Sequence, residues 1–251
     1  MTGYRPDVGF RRLPPDRHDE SEDVKAERLV EESFELVARV RRARVFHPNG
    51  LWFSGHLRPA PAFERYFGGG QRDVEVRLSK ALGMPGRVPD AVGIGLRVRT
   101  PGGRWDLALA STPTGTLTRF FAIPVPSWRH ATYGTLMAYR FDGGAPQWIF
   151  ARPDADQPAD ASLATLRDYT TTHGLGFTLT AARLNGPEEP FANLRLTAET
   201  AAPPPEDAVD PTLHHPPGVA LAPRFITRIR RSAYRGSREG RGAEPSPGHP
   251  H

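Results

Sequence analysis

The sequence predicts an α+β chain built on a closed antiparallel β-barrel of about eight strands, with a helix near each end. Three observations lead there. Short runs rich in β-branched and aromatic residues recur through the middle of the chain, several of them separated by glycine or proline. An amphipathic stretch precedes these runs, and a basic stretch with helical potential follows them. Proline (27 residues) and glycine (25) are abundant, which suits a loop-rich β chain better than a helical bundle. Closing so many strands into a barrel removes exposed edges.

Taken in order, residues 1–20 are polar and proline-containing and read as a flexible arm. Over 21–42, Leu29, Val30, Phe34, Leu36, Val37 and Val40 recur at roughly helical spacing among Glu and Arg, so one amphipathic helix is expected. Strands are expected at 44–58, 74–79, 92–100, 105–110, 117–123, 133–141, 147–151, 176–184 and 193–200. Pro101-Gly102-Gly103 reads as a hairpin turn between two of them. The run from Phe67 to Gln71 has the glycines of a phosphate loop but not the lysine, and reads as a tight turn. A helix is expected at 161–169. Residues 201–223 form a proline-rich crossing that leads into the basic segment RFITRIRRSAYRGSREGRG. The expected division is an arm over 1–20, a barrel domain with a C-terminal helix over 21–241, and a disordered tail over 242–251. No internal repeat is present.

Composition narrows the chemistry. With 38% hydrophobic and 24% charged residues, most of the chain can fold. Net charge is +5, and nearly all the cations are arginines. Arginine favours forked contact with carboxylate or phosphate, so nucleic acid, an anionic surface and a cofactor bearing propionates all fit. The absence of cysteine excludes disulfides, thiolate-ligated haem, cysteine-ligated clusters and cysteine nucleophiles. The first residues lack the apolar stretch of a signal peptide, and no apolar run is long enough to span a bilayer. A cytoplasmic protein is the expectation. The nine histidines show no zinc spacing, and no nucleophile elbow is present.

One histidine stands in notable company. Arg44-Val45-Phe46-His47-Pro48-Asn49-Gly50 resembles the R-V-V-H-A-K-G run that carries the distal histidine of the haem catalases. Val76-Arg77-Leu78-Ser79 is similar to their V-R-F-S. Asp90 to Val98 resembles D-x-x-G-F-A-V-K-F, and it leads to Trp105-Asp106-Leu107 at the family's spacing. Pro126-Ser127-Trp128 and Tyr133-Gly134 look like later landmarks. Asp210-Pro211-Thr212, Pro216-Pro217-Gly218 and the run from Arg230 to Tyr234 resemble the D-P-S, P-P-G and R-x-F-x-Y that end in the proximal ligand. The resemblance covers roughly 40–200 and 208–241. Most of the family's helical region and any flavodoxin-like domain are missing.

The resemblance implies a catalase-like barrel holding haem b, with Tyr234 ligating the iron and His47 on the distal side. A phenol has a pKa near 10, so its anion needs stabilisation to bind iron at neutral pH. On a helix Arg230 lies one turn before Tyr234 and can supply it. Arg44, Arg77 and Arg241 are the implied partners of the propionates, and Arg238 stands where the family has a histidine. Ser79 would fix the His47 tautomer, and Phe46 would reshape access to the iron.

Two departures bear on activity. The family's distal amide is replaced by Ala110, with Ser111 beside it as the remaining polar candidate, and Val125 replaces a stacking aromatic. The expectation is therefore a haem enzyme acting on hydrogen peroxide or an organic hydroperoxide, more peroxidase than catalase, with His47 as general acid–base. Alternatives are a haem isomerase or dehydratase for a bulkier substrate, and a haem-free barrel binding a lipid or small molecule. A small-molecule partner is expected rather than nucleic acid, and self-association into a homo-oligomer is compatible with the sequence.

Overall fold

In the long strands, large apolar residues alternate with small or polar ones, which gives each strand one face for a core and one for the outside. The computed structural model describes residues 50–116, 118–201 and 209–222. The strands are β1 (Gly50–Pro59), β2 (Arg72–Lys80), β3 (Val92–Thr100), β4 (Gly103–Ser111), β5 (Tyr133–Gly134), β6 (Ala138–Phe141), β7 (Trp148–Pro153), β8 (Leu175–Ala182), β9 (Glu188–Thr200) and β10 (Val219–Ala222). Two short helices, α1 (Glu64–Phe67) and α2 (Leu163–Thr170), and a 3-10 turn over Pro61–Phe63 just before α1 complete the described elements.

Eight strands close into an antiparallel barrel in the order β1-β2-β3-β4-β5-β7-β8-β9, with β9 returning to β1. β6 leaves the barrel and pairs with β10 in a separate two-stranded sheet. The interior takes Leu51 and Phe53 from β1, Val74, Val76 and Leu78 from β2, Ile94, Leu96 and Val98 from β3, and Trp105, Leu107 and Leu109 from β4. Aromatic rings from α1 and its preceding turn, Phe63 and Phe67, pack with Trp105 and Phe191. Phe67 lies 4.8 Å from Trp105, and Phe63 lies 4.8 Å from Phe191. Trp105→Ala is expected to cost about 3–5 kcal/mol of unfolding free energy, because a fully buried indole would leave a cavity that its neighbours cannot fill. Urea titration followed by circular dichroism checks this.

Several expected elements stand as read. Thr100 pairs with Gly103 across the Pro101-Gly102 turn, and Gly68, Gly69 and Gly70 all adopt positive φ in the turn after α1. Helix α2 begins after Ser162, whose hydroxyl accepts from Thr165 N–H at 3.4 Å.

Others are corrected. Among the described residues of the run 117–123, which are 118–123, there is no strand. Although rich in β-branched and aromatic residues, its described part is a loop held by Arg119, which donates to the carbonyls of Thr114, Gly115 and Arg183. The expected strand 133–141 is broken in two. Thr135 ends the β5–β7 ladder by offering its hydroxyl to Ile149 N–H at 3.0 Å in place of a backbone carbonyl. Inside the proline-rich crossing, Val219–Ala222 forms a strand that was not expected. The arm, the tail and the helices expected at both chain ends lie outside the described residues.

Candidate functional site

Strand register on β1 to β4 assembles a patch on the outer face of the barrel. Gly50 pairs with Ser79, Ser79 with Gly93, Gly93 with Ala110, and Ala110 with Gly134. The next outward-facing row is Trp52, Arg77, Gly95 and Ala108, and the third is Ser54, Glu75, Arg97 and Asp106. Side chains alternate in and out of a sheet, so all three rows share the face opposite the core. Glycine and alanine at 50, 93, 95, 108 and 110 make the first two rows nearly flat. Arg77 and Ser79 rise from them, and the Trp52 indole stands at the β1 edge of the second row.

Arg77 needs this flatness. A Cβ placed on Gly50 would lie 2.9 Å from the Cζ, Nε and Nη2 atoms of Arg77, so the guanidinium lies across the space that a side chain would take. Ser79 is buried, and its Oγ is 3.4 Å from where a Cβ on Gly93 would stand. The third row is ionic. Arg97 donates to Glu75 at 2.6 Å, and Arg104 grips the fully buried Asp106 through two bonds of 2.8 and 2.6 Å. His214 lies near this network. Burial first, and then the Arg104 charge, hold its pKa below the ordinary histidine value and favour the neutral ring.

Of the residues singled out from sequence, the structure brings Arg77 and Ser79 together beside Gly50, which follows His47 closely in the chain. Ser111 is elsewhere. It is fully buried on the core side of β4, where its hydroxyl donates to Ile123 O at 2.6 Å and accepts from Val92 N–H at 3.1 Å. Ala110 does lie in the first outer row. Arg44, Phe46, His47, Arg230, Tyr234, Arg238 and Arg241 lie outside the described residues.

Sequence reasoning passed over the small-residue floor and read Asp106 only as part of the Trp105-Asp106-Leu107 landmark, without a role. The signal was present in Val92-Gly93-Ile94-Gly95-Leu96 and Leu107-Ala108-Leu109-Ala110, where a small residue at every second position empties one face of a strand. The floor presents backbone and methyl groups, with the Arg77 guanidinium as a cation at its edge that could pair with a carboxylate. Among the described residues, no group of three or more His, Asp or Glu could hold a metal ion, and no helix is long and apolar enough to cross a membrane.

The architecture has solved counterparts. A bacterial catalase matches with a TM-score of 0.58 at 15% identity, covering 95% of this chain and 63% of that one. Catalase A from Saccharomyces cerevisiae matches with a TM-score of 0.62 at 11% identity, covering 95% of this chain and 67% of that one. No protein-family model matches the chain, and no curated protein does. At such identities the likeness is one of fold: the chain has the catalase-like barrel fold and spans 63% of the length of the bacterial enzyme.

Proposed function

We propose that this catalase-like barrel is a haem-dependent oxidoreductase that acts on hydrogen peroxide or an organic hydroperoxide, with peroxidase chemistry dominant over dismutation. The observation that carries the reading is the flat outer floor with Arg77 laid over Gly50 and Ser79 beside it, directly after the segment bearing His47. Haem b, when bound, supplies the iron at which the O–O bond is cleaved.

The chain's own residues have separate tasks in this reading. Arg77 and Arg44 pair with propionates, joined by Arg241. Tyr234 would hold the iron through a phenolate kept anionic by Arg230, and Arg238 would add positive charge on the same segment. Ser79 orients the His47 ring, and His47 moves a proton between the two peroxide oxygens. Phe46 narrows the approach. Ala110 places a methyl group where a second peroxide would need an amide, so oxidation of that second peroxide is disfavoured. Ser111, with its hydrogen engaged by Ile123, contributes by holding the end of β4.

Loss of the Arg77 charge tests the cation. Arg77→Ala is expected to weaken haem binding about tenfold or more, as removal of a charged hydrogen bond costs about 1.5–3 kcal/mol. Gly50→Val should do the same without touching Arg77, because the added side chain occupies the guanidinium's place. Haem titration by absorbance reads both. Strong salt-dependent DNA or RNA binding with no effect on haem would point instead to a nucleic-acid partner.

The reading as a whole is tested by adding haem to the purified protein. A saturable shift and sharpening of the Soret band and peroxide-dependent oxidation of a small aromatic donor support it, and a titration in which the spectrum stays that of free haem overturns it. The small Ala110 side chain also favours a second reading, a haem isomerase or dehydratase for a bulkier substrate. Rearrangement of an organic hydroperoxide without donor oxidation would distinguish that activity.

A further inference from the structure

Strand β5 pairs with β4 only at Ala110 and Ser111, so most of β4 lacks a β5 neighbour on that edge. The segment 209–217 runs along the outside there. Asp106 N–H donates to His214 O at 3.0 Å, and Asp210 N–H donates to Asp106 Oδ2 at 2.7 Å. Asp106 thus holds the segment twice, through its backbone N–H at His214 and through its buried carboxylate, charge-balanced by Arg104, at Asp210. The segment is itself a tight turn. Asp210 Oδ1 accepts from Thr212 N–H at 2.9 Å and Thr212 Oγ1 at 2.6 Å, and Asp210 O accepts from the N–H groups of Leu213 and His214.

This attachment reaches the outer floor. Val209 lies over Gly95, whose added Cβ would stand 3.4 Å from Val209 Cγ2 and 3.6 Å from its Cβ. Gly95 is the cross-strand partner of Arg77. Further along, Pro217 packs against Gly102 at the hairpin tip.

We infer that Asp106 is a positioning residue for the haem site: it clamps the strap 209–217 to β4 and thereby seats Val209 as a wall on the floor beside Arg77. The inference rests on the haem reading above. Without the wall, the floor opens sideways to solvent, and a bound macrocycle loses apolar cover on that side.

The test uses the full-length, haem-loaded chain and follows haem transfer to an excess of a scavenging apoprotein. Asp106→Asn keeps the side chain's shape and the backbone bond to His214, and removes the charge that binds Arg104 and strengthens acceptance from Asp210 N–H. Val209→Gly removes the wall and leaves the clamp. Both are expected to lose haem about tenfold faster than the parent and to shift its Soret band. A tether supplies the rescue. With no cysteine in the chain, Gly95→Cys with Val209→Cys can form only one disulfide, and a Cβ separation of 3.6 Å suits it. In the Asp106→Asn background the oxidised tether should restore slow haem loss, and its reduction should abolish the rescue. A merely structural role for Asp106 would make haem loss follow the melting temperature of each variant, whereas positioning changes haem loss in Val209→Gly at an unchanged melting temperature. Unchanged haem loss in Val209→Gly, or failure of the formed tether to rescue, overturns the inference while the parent still holds haem. A parent chain that takes up no haem overturns the haem reading and this inference together.

Discussion

Tyr234→Phe is expected to abolish the ferric Soret signature of the haem-loaded protein and to weaken haem binding about a hundredfold or more, equivalent to ~2.7 kcal/mol or more. The substitution removes one oxygen and leaves the ring. Everything that depends on shape is kept, so a loss of haem reports ligation. The phenol needs a nearby cation to bind iron as its anion at neutral pH, and Arg230 stands one helical turn away in sequence. Arg230→Ala should therefore give a partial version of the same defect, one that eases as the pH is raised toward the phenol's ordinary pKa. Absorption spectra of the variants across pH check both. A normal spectrum and affinity in Tyr234→Phe would remove Tyr234 as ligand.

The second large effect concerns reaction type. His47→Ala is expected to lower peroxide-dependent oxidation of an aromatic donor about a hundredfold or more, the usual scale for a positioned acid–base group. The parent protein is expected to release little oxygen from hydrogen peroxide. Dismutation must hold and oxidise a second peroxide, and Ala110 offers that molecule no hydrogen bond. Ala110→Asn should shift the balance toward oxygen release, with the amide directed over Gly93, since Thr112 and the Phe150 ring already fill the space over Gly134 on the other side. An oxygen electrode beside a dye assay measures the ratio. Rapid oxygen release by the unmodified chain would refute the peroxidase assignment.

Much of the barrel is legible in the sequence because strand alternation and turn chemistry are local. The β3–β4 hairpin is written in the period of Val92 to Thr100 and in Pro101-Gly102-Gly103, and β4 is carried by Trp105, Leu107 and Leu109. The misread stretches are those where a distant group takes over a backbone bond. Arg119 reaches the carbonyl of Arg183 and folds 118–121 into a loop despite its strand-like composition. Thr135 substitutes its hydroxyl for a carbonyl opposite Ile149 and stops a ladder that the pattern would continue. β10 is four residues among prolines, and its pairing with β6 joins residues far apart in the chain.

The candidate site divides in the same way. By itself the sequence determined that Arg77 and Ser79 share a strand face, because they are two residues apart in a period-two element. It also carried the order of motifs that resembles the haem catalases. Only the tertiary structure decided that Gly50, Gly93, Gly95, Ala108 and Ala110 form one floor, since that depends on the register of four strands. Only there does Arg77 lie over Gly50, and only there does Asp106 meet Asp210. Alternation is a property of one strand and can be read along the chain. Register and buried charge pairing are properties of several segments at once, set by which strands close the barrel and which backbone groups then still need a partner.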